Sequence, residues 1–376
     1  MSTLAKYMLN TMLKIPFKMI GNIFCVKSTV NWSKEKKDIL QRANWLCDEV
    51  LVSPELLIDK MPHELGEHYQ GEWAIYTCSH LSAALVNISY LYPEEKQTCA
   101  KRAKQLVEMV LSPALREYDT KSWGEDALQT LKGEKSHMTY LSILAWVITN
   151  YKMIDDNNQY DKLLEEICET LHRRMLKAKY MNLPSFPNGI VFLPDMMFAI
   201  VALNNFAKLN NGKYADTVNR WLDSTRENLV DSKTELIVSF QNRKVVRGSY
   251  VALNCYCLTL LDNKQFSQQQ YIQMKKFFKK NYPSWGIREH LNKTPLLAFD
   301  PDAGPIAFGL SPSGTAWAIG SATYFQDWKF RNQLLRTAEI AGNTTKSKNK
   351  RHYKLGELAM VGEAVVLAMK TNVDKN

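Results

Sequence analysis

Two kinds of helix-forming segment alternate along this 376-residue chain, and the alternation limits the fold more than any other feature. Segments of the first kind combine an apolar stripe with a charged face, which is typical of surface helices; they span 33–52, 94–111, 160–178, 214–229, 267–280 and 327–341. Segments of the second kind are apolar on nearly all sides, which is typical of helices buried between helices; they span 71–91, 136–150, 194–206, 248–261, 314–325 and 355–370. Strand-like alternation is scarce, and its best case, 235–240, is short.

Each charged segment is followed by a buried one, six times over, which predicts six helical hairpins. An open array of hairpins would need a polar cap at each end, and the sequence has none. We therefore predict an all-α fold, an (α/α)6 toroid with the buried helices inside, over residues 31–376, preceded by a separate segment over 1–30. If the inner helices run the same way, their N-terminal N–H groups meet at one mouth of the ring.

The formal charge of +10 is spread over several short basic runs, mostly on the charged faces of helices. A duplex nucleic acid requires a concentrated basic surface, so we expect no nucleic-acid partner. The seven cysteines have no regular spacing, which argues against a disulfide framework or a zinc site and favours a reducing compartment. We expect a cytoplasmic protein that is free or membrane-associated, and a monomer and a dimer both fit.

Residues 1–25 contain three lysines, no acidic residue and many large apolar side chains. The lysines interrupt the apolar run, so the segment is too polar to span a bilayer. Two interpretations stay open: a strap packed on the domain, or an amphipathic segment in peripheral contact with a membrane surface.

The largest sets of polar residues lie at the start of the first two buried segments. Glu72, Tyr76 and His80 follow one helical face, next to Trp73, and form either a hydrogen-bonded core stripe or one wall of a site. In the second segment Ser136 is the predicted N-cap, and a histidine near carboxylates is a usual acid/base arrangement. The candidates there are His137, Tyr140, Trp123, Glu125 and Asp126.

The later buried segments also begin with polar residues. Asp195 complements a helix dipole, or lines the site. Arg247 is either a loop charge or a clamp for an anionic group. The Asp-x-Asp pair of Asp300 and Asp302 is a weak metal signal, so we expect no metal and no cofactor. The remaining candidate substrate-binding residues are Tyr250, Asn254 and Ser313.

The alternation resembles the (α/α)6 toroid superfamily, which contains glycosidases, unsaturated uronyl hydrolases, sugar 2-epimerases, polysaccharide lyases and terpene-processing enzymes. Segments 71–85, 123–146, 193–203 and 300–320 look most like the linalool dehydratase/isomerase-like group. That resemblance implies catalytic roles for His137 and Tyr140 on one inner helix, and for Glu72 and Tyr76 on another. The group's cysteine pair has no counterpart in the loop over 182–189.

Three functions follow from these observations. The first is a cofactor-independent acid/base enzyme, an isomerase, lyase or hydratase, acting on a small organic substrate such as a terpenoid in the lumen. In it His137 moves the proton, assisted by Glu72, Tyr76 and Tyr140. The second is a carbohydrate-active hydrolase or epimerase with two carboxylates drawn from Asp126, Asp195 and Asp302. The third is a non-catalytic, membrane-peripheral scaffold.

Overall fold

The computed structural model describes residues 27–281 and 284–375, so the predictions for residues 1–25 lie outside the described residues. Six outer helices carry the charged faces: α1 (Trp32–Val50), α4 (Lys96–Leu111), α7 (Asp161–Lys177), α9 (Ala215–Asn228), α11 (Lys264–Phe278) and α13 (Trp328–Gly342). Six inner helices are buried: α3 (Glu67–Leu91), α6 (Met138–Lys152), α8 (Leu193–Leu209), α10 (Gly248–Leu258), α12 (Pro312–Tyr324) and α14 (Met360–Lys370).

The inner helices form a closed ring. Each packs on the next, in the order α3, α6, α8, α10, α12 and α14, and α14 then packs against α3. Each outer helix covers its own inner neighbours. The predicted (α/α)6 toroid is confirmed, because the apolar circumference of each inner helix is buried by two inner neighbours and an outer layer.

The ring closes through ion pairs between the first and last hairpins. Arg42 of α1 lies 2.6 Å from the buried Glu363 of α14, and the buried Arg331 of α13 lies 2.9 Å from Glu35 of α1. Glu363 also accepts the backbone N–H of Tyr353. Because both arginines are enclosed, these contacts fix the register between the two ends of the described chain.

Close packing at one glycine shows how tightly the inner ring is assembled. A methyl group on Gly320 of α12 would lie 2.4 Å from Met369 Sδ and 2.9 Å from the ring of Tyr256. Only a residue without a Cβ lets α12 approach its neighbours this closely, which accounts for the small residues in the buried segments.

Two short helices and two small sheets interrupt the pattern. The helices are α2 (Pro54–Asp59) and α5 (Pro113–Trp123), each starting with a serine cap and a proline. A five-stranded antiparallel sheet, in the order β1-β2-β5-β4-β3, precedes α12; it contains β1 (Lys279–Lys280), β2 (Gly286–Arg288), β3 (Leu297–Asp300), β4 (Gly304–Ala307) and β5 (Leu310–Ser311). A hairpin of β6 (Thr344–Ser347) and β7 (Lys350–Tyr353) precedes α14.

The strand-like stretch 235–240 forms only isolated bridges, at Ile237 and Phe240. The prediction that Ser136 caps α6 is wrong. The N-cap is His137, whose φ of 46° is left-handed, and the Ser136 hydroxyl donates to Pro184 O instead. The helix begins two residues later than predicted because both side chains bond to neighbouring segments.

Candidate functional site

A narrow cleft of about 10 Å³, roughly the space of one water molecule, lies at the mouth where the inner helices begin. Its walls come from the first turns of α3 and α6, from α5, and from the loop before α8. The side chains that line it are polar or aromatic: His68, Glu72, Tyr118, Asp119, Ser122, Trp123, Thr139, Ser185 and Phe186. A cleft with this lining combines acid/base groups with flat ring surfaces.

Glu72 differs from Asp119, the other carboxyl group that lines the cleft, because it accepts no hydrogen bond from a described residue. Its side chain is 14% exposed, and no residue in the described ranges donates a hydrogen bond to it. His68 Nε2 lies 3.9 Å from its Oε2. Burial, reinforced by the nearby charges of Asp195 and Asp302, raises the pKa of Glu72 well above its ordinary value. Glu72 is therefore a carboxyl group that faces the cleft and keeps its proton to a higher pH than an ordinary glutamate.

Asp119 is the second carboxylate of the cleft, and it is held firmly. His137 Nδ1 lies 2.6 Å from Asp119 Oδ2, and the other ring nitrogen lies 3.5 Å from Glu125 Oε1. Glu125 is in turn paired with Lys135 at 3.2 Å. His137 is completely buried, does not line the cleft, and orients the Asp119 carboxylate. Burial raises the pKa of Asp119, although the hydrogen bond from His137 opposes the rise.

Asp195, at the start of α8, joins three inner helices. It accepts hydrogen bonds from the Tyr76 hydroxyl of α3 at 2.8 Å and from the Thr139 hydroxyl of α6 at 3.2 Å. Burial raises the pKa of Asp195 to about 6 even with these donors. Its negative charge acts on Glu72, so the two carboxyl groups ionise with difficulty together.

A second cluster lies across the mouth, under the β3–β4 hairpin. Arg247 Nε lies 2.6 Å from the buried Glu289, and Arg247 Nη2 lies 2.9 Å from Asp300. Tyr250 donates a 2.6 Å hydrogen bond to Asp302. Burial raises the pKa of Asp302, and its charge acts on both Glu72 and Asp195. The hairpin therefore brings a fourth carboxyl group to the same mouth.

Several predicted site residues lie elsewhere. The Tyr140 hydroxyl donates to Val110 O at 3.0 Å, and Asp126 pairs with Arg116 at 2.9 Å, so both hold the scaffold together. Ser313 contacts Ser311 at the start of α12. Trp73 packs against the core, and Asn254 is buried with neither amide atom hydrogen-bonded to a described residue. The geometry gives no support to a catalytic role for Tyr140.

The lumen below the cleft is filled. His80 is completely buried against the rings of Trp146, Phe198 and Trp317, with ring centroids 5.4, 6.0 and 4.7 Å away. Burial lowers the pKa of His80 to about 4, so the ring is neutral. Of the three residues on this face of α3, Glu72 therefore lines the cleft, whereas His80 belongs to the core.

A larger pocket of about 100 Å³ lies at the opposite mouth, where the inner helices end. Asparagines from three inner helices line it, namely Asn87, Asn150 and Asn205, together with the charged residues Lys208, Asp374 and Lys375. The aromatic layer around His80 lies between the two mouths. None of the predicted site residues lines this second pocket, so it lies apart from the candidate site.

Sequence reasoning missed Asp119, His68 and Phe186 as cleft residues, and Glu289 as the partner of Arg247. Asp119 lies 18 residues before His137 and on the unexpected helix α5, so no spacing rule connects them. Glu289 follows a three-residue strand that carries no periodic signal. A run of carboxylates before the second buried segment was the one available sign of Asp119.

Two further features bear on the class of protein. Within 27–281 and 284–375, no group of three or more histidine, cysteine or acidic side chains is arranged to hold a metal ion. None of the helices in these ranges combines the length and the apolar character needed to cross a bilayer.

No protein-family model matches the chain, and no curated protein matches it. Among solved structures, the chain is similar to an unsaturated glucuronyl hydrolase specific for heparin. The identity is 14% and the TM-score is 0.50, over 79% of this chain and 85% of the other. The likeness shows the (α/α)6 toroid fold and gives no support to the linalool dehydratase/isomerase-like group.

Proposed function

We propose that this chain is a carbohydrate-active hydrolase whose reaction takes place in the cleft between Glu72 and Asp119. The observation that carries the proposal is the state of Glu72. A buried carboxyl group with a raised pKa and no bonded partner is a poor structural element and a suitable general acid. Asp119, oriented by His137, supplies the second carboxylate that glycoside hydrolysis requires.

The two residues divide the chemistry between them. The Asp119 carboxylate accepts a proton from a water molecule, whose oxygen bonds to the anomeric carbon of the sugar. The glycosidic C–O bond breaks, and its electron pair stays with the leaving oxygen, which takes the proton of Glu72. Burial, together with the charges of Asp195 and Asp302, raises the pKa of Glu72 and so favours the protonated form that a general acid needs.

The lining of the cleft favours a sugar over a terpenoid. A terpenoid alcohol suits a closed apolar pocket, whereas this cleft is lined by two carboxyl groups and four hydroxyl-bearing side chains beside Trp123 and Phe186. The similarity to a hydrolase that acts on a glucuronyl group supports the same choice at the level of the fold. Isomerase, lyase and hydratase activities on a terpenoid gain no support from either observation.

The test is hydrolysis of a panel of aryl glycosides and oligosaccharides by wild type and by Glu72→Gln. We expect Glu72→Gln to lose at least 100-fold in kcat, since general acid catalysis is typically worth about 10²–10⁴-fold. Glu67→Gln is the matched control, because Glu67 lies on the same helix with its side chain 85% exposed. Equal activity of Glu72→Gln and wild type would overturn the assignment of Glu72.

The filled lumen favours one other candidate, a non-catalytic scaffold. A scaffold predicts that no glycoside in the panel is hydrolysed and that Glu72→Gln only stabilises the fold. Its membrane-peripheral form also predicts that deletion of residues 1–25 abolishes binding to anionic liposomes, measured by co-sedimentation.

A further inference from the structure

We infer that the sugar bound in this cleft carries no negative charge: it is a neutral or an amine-bearing sugar, and uronates and sulfated sugars are excluded. This inference rests on the proposed function and adds the substrate class. The argument depends on the signs of the charged groups at the mouth and on which of them already have partners.

Four carboxyl groups converge on the mouth: Glu72, Asp119, Asp195 and Asp302. They come from three helices and one hairpin, and the charges of Asp195 and Asp302 act on Glu72. Asp302 also acts on Asp195. A negatively charged substrate group placed beside them would be repelled by those that are ionised, in a site that excludes much of the water, where charges interact more strongly than in bulk solvent.

Two basic side chains next to these carboxyl groups, Arg247 and His137, already lie against carboxylates. Arg247 lies 2.6 Å from Glu289 and 2.9 Å from Asp300, so two carboxylates compensate its charge, although its buried Nη2 atom makes no hydrogen bond with a described residue. His137 lies between Asp119 and Glu125.

His68, which lines the cleft, has a pKa lowered by burial, so its ring is neutral near pH 7. Among the described residues that line the cleft, His68 is the only basic side chain, and no lysine or arginine is there to bind a carboxylate or a sulfate.

Recognition of an anionic sugar requires a charge-assisted bond, most often from arginine. Without such a bond, burial of a carboxylate is strongly unfavourable because its hydration is lost. A hydroxyl group or a protonated amine on the sugar is favoured instead, since each can donate a hydrogen bond to the unpaired oxygens of Glu72. The surroundings therefore select against negative charge on the substrate.

The experiment compares trisaccharides of glucose, glucosamine and glucuronate at pH 6.5, by calorimetric binding to Glu72→Gln and by hydrolysis with wild type. We expect glucuronate to bind at least tenfold more weakly than glucose. Asp300→Asn serves as the second variant: its amide oxygen still accepts the N–H of Ala303 in the turn, but one edge of Arg247 loses its anionic partner. We expect Asp300→Asn to reduce the ratio between the binding affinities for glucose and for glucuronate.

The outcomes separate the two proposals. If glucuronate binds as tightly as glucose, the charge inference is overturned, and hydrolysis of either sugar leaves the proposed function standing. If the binding preference is found but wild type hydrolyses nothing, the inference holds and the proposed function fails. If none of the three sugars binds, both are overturned.

Discussion

At the scale of single residues, hydrogen-bond partners rank the carboxyl groups at the mouth: Tyr76 donates to Asp195 and Tyr250 donates to Asp302, whereas no described residue donates to Glu72. Glu72, Asp195 and Asp302 were all candidates, and the structure brings them to one mouth. His137 was expected to move the proton, a role that stays a prediction; the structure shows it buried between two carboxylates. Ranking requires knowledge of which groups are desolvated and paired, and neither is encoded in local sequence.

The raised pKa of Asp195 predicts how stability depends on pH. The unfolded chain loses this proton near its ordinary pKa of 3.8, whereas the folded chain keeps it up to about pH 6. The folded state therefore binds more protons between these values, and the free energy of unfolding falls as pH rises through this window. Ionisation of Asp195 lowers the free energy of unfolding by at most about 3 kcal/mol over this window, from the size of the pKa shift.

Asp195→Asn should remove that part of the pH dependence. We expect the difference in Tm between pH 4.5 and pH 7.5 to be smaller in Asp195→Asn than in wild type, measured by scanning calorimetry. Asp216→Asn is the control, because the Asp216 side chain is 83% exposed and should leave the slope unchanged. An unchanged slope in Asp195→Asn would mean that Asp195 is ionised throughout this range.

At the scale of elements, the hairpin of β3 and β4 decides where two of the candidates lie. The sequence predicted no strand over this stretch, because four-residue strands give no reliable alternation. The Asp300 carboxylate accepts the N–H groups of Asp302 and Ala303, which closes the turn in the manner typical of aspartate. Tyr250 and Arg247 of the α10 start then attach the hairpin to the ring.

Tyr250→Phe should loosen this hairpin without changing its turn. Loss of the hydrogen bond to Asp302 is worth about 1 kcal/mol, so we expect roughly fivefold faster amide exchange in residues 297–307. Hydrogen–deuterium exchange with mass spectrometry measures this. Tyr151→Phe is the control, since its hydroxyl contacts Asp155 near the end of α6, far from the hairpin. Unchanged exchange in Tyr250→Phe would show that Arg247 alone holds the hairpin.

At the scale of the whole molecule, closure of the ring depends on contacts between residues more than 290 positions apart. Arg42 bonds to Glu363, Asp38 and the Thr344 hydroxyl, and its guanidinium lies 4.1 Å from the ring centre of Tyr353. Arg42, Glu363 and Tyr353 are buried, so the charges of Arg42 and Glu363 compensate each other away from water. Removal of one partner leaves the other charge buried without compensation.

Arg42→Met should therefore destabilise the protein by about 3 kcal/mol or more. Lys213→Met removes a pair with Glu165 in which both side chains are about half exposed, and it should cost less than about 1 kcal/mol. Chemical denaturation of the two variants gives the comparison. If the two variants lose equal stability, Arg42 does not control closure of the ring.

The sequence by itself determined the helical class, the six hairpins, the inner and outer assignment of each helix and the mouth at which polar residues gather. These features follow from hydrophobic periodicity, which acts through neighbours three and four residues apart and is therefore legible in one chain. The predicted helix bounds agree with the structure to within a few residues over all six hairpins.

Only the tertiary structure decided which carboxyl group stays unpaired, which arginine is already neutralised and whether the lumen is open. Asp119 meets His137, Tyr76 meets Asp195 and Arg247 meets Glu289 through contacts between separate elements. The ionisation and availability of each group depend on burial and on neighbours brought together by closure of the ring. No periodic pattern in the chain records those distances, because they exist only after the six hairpins have packed.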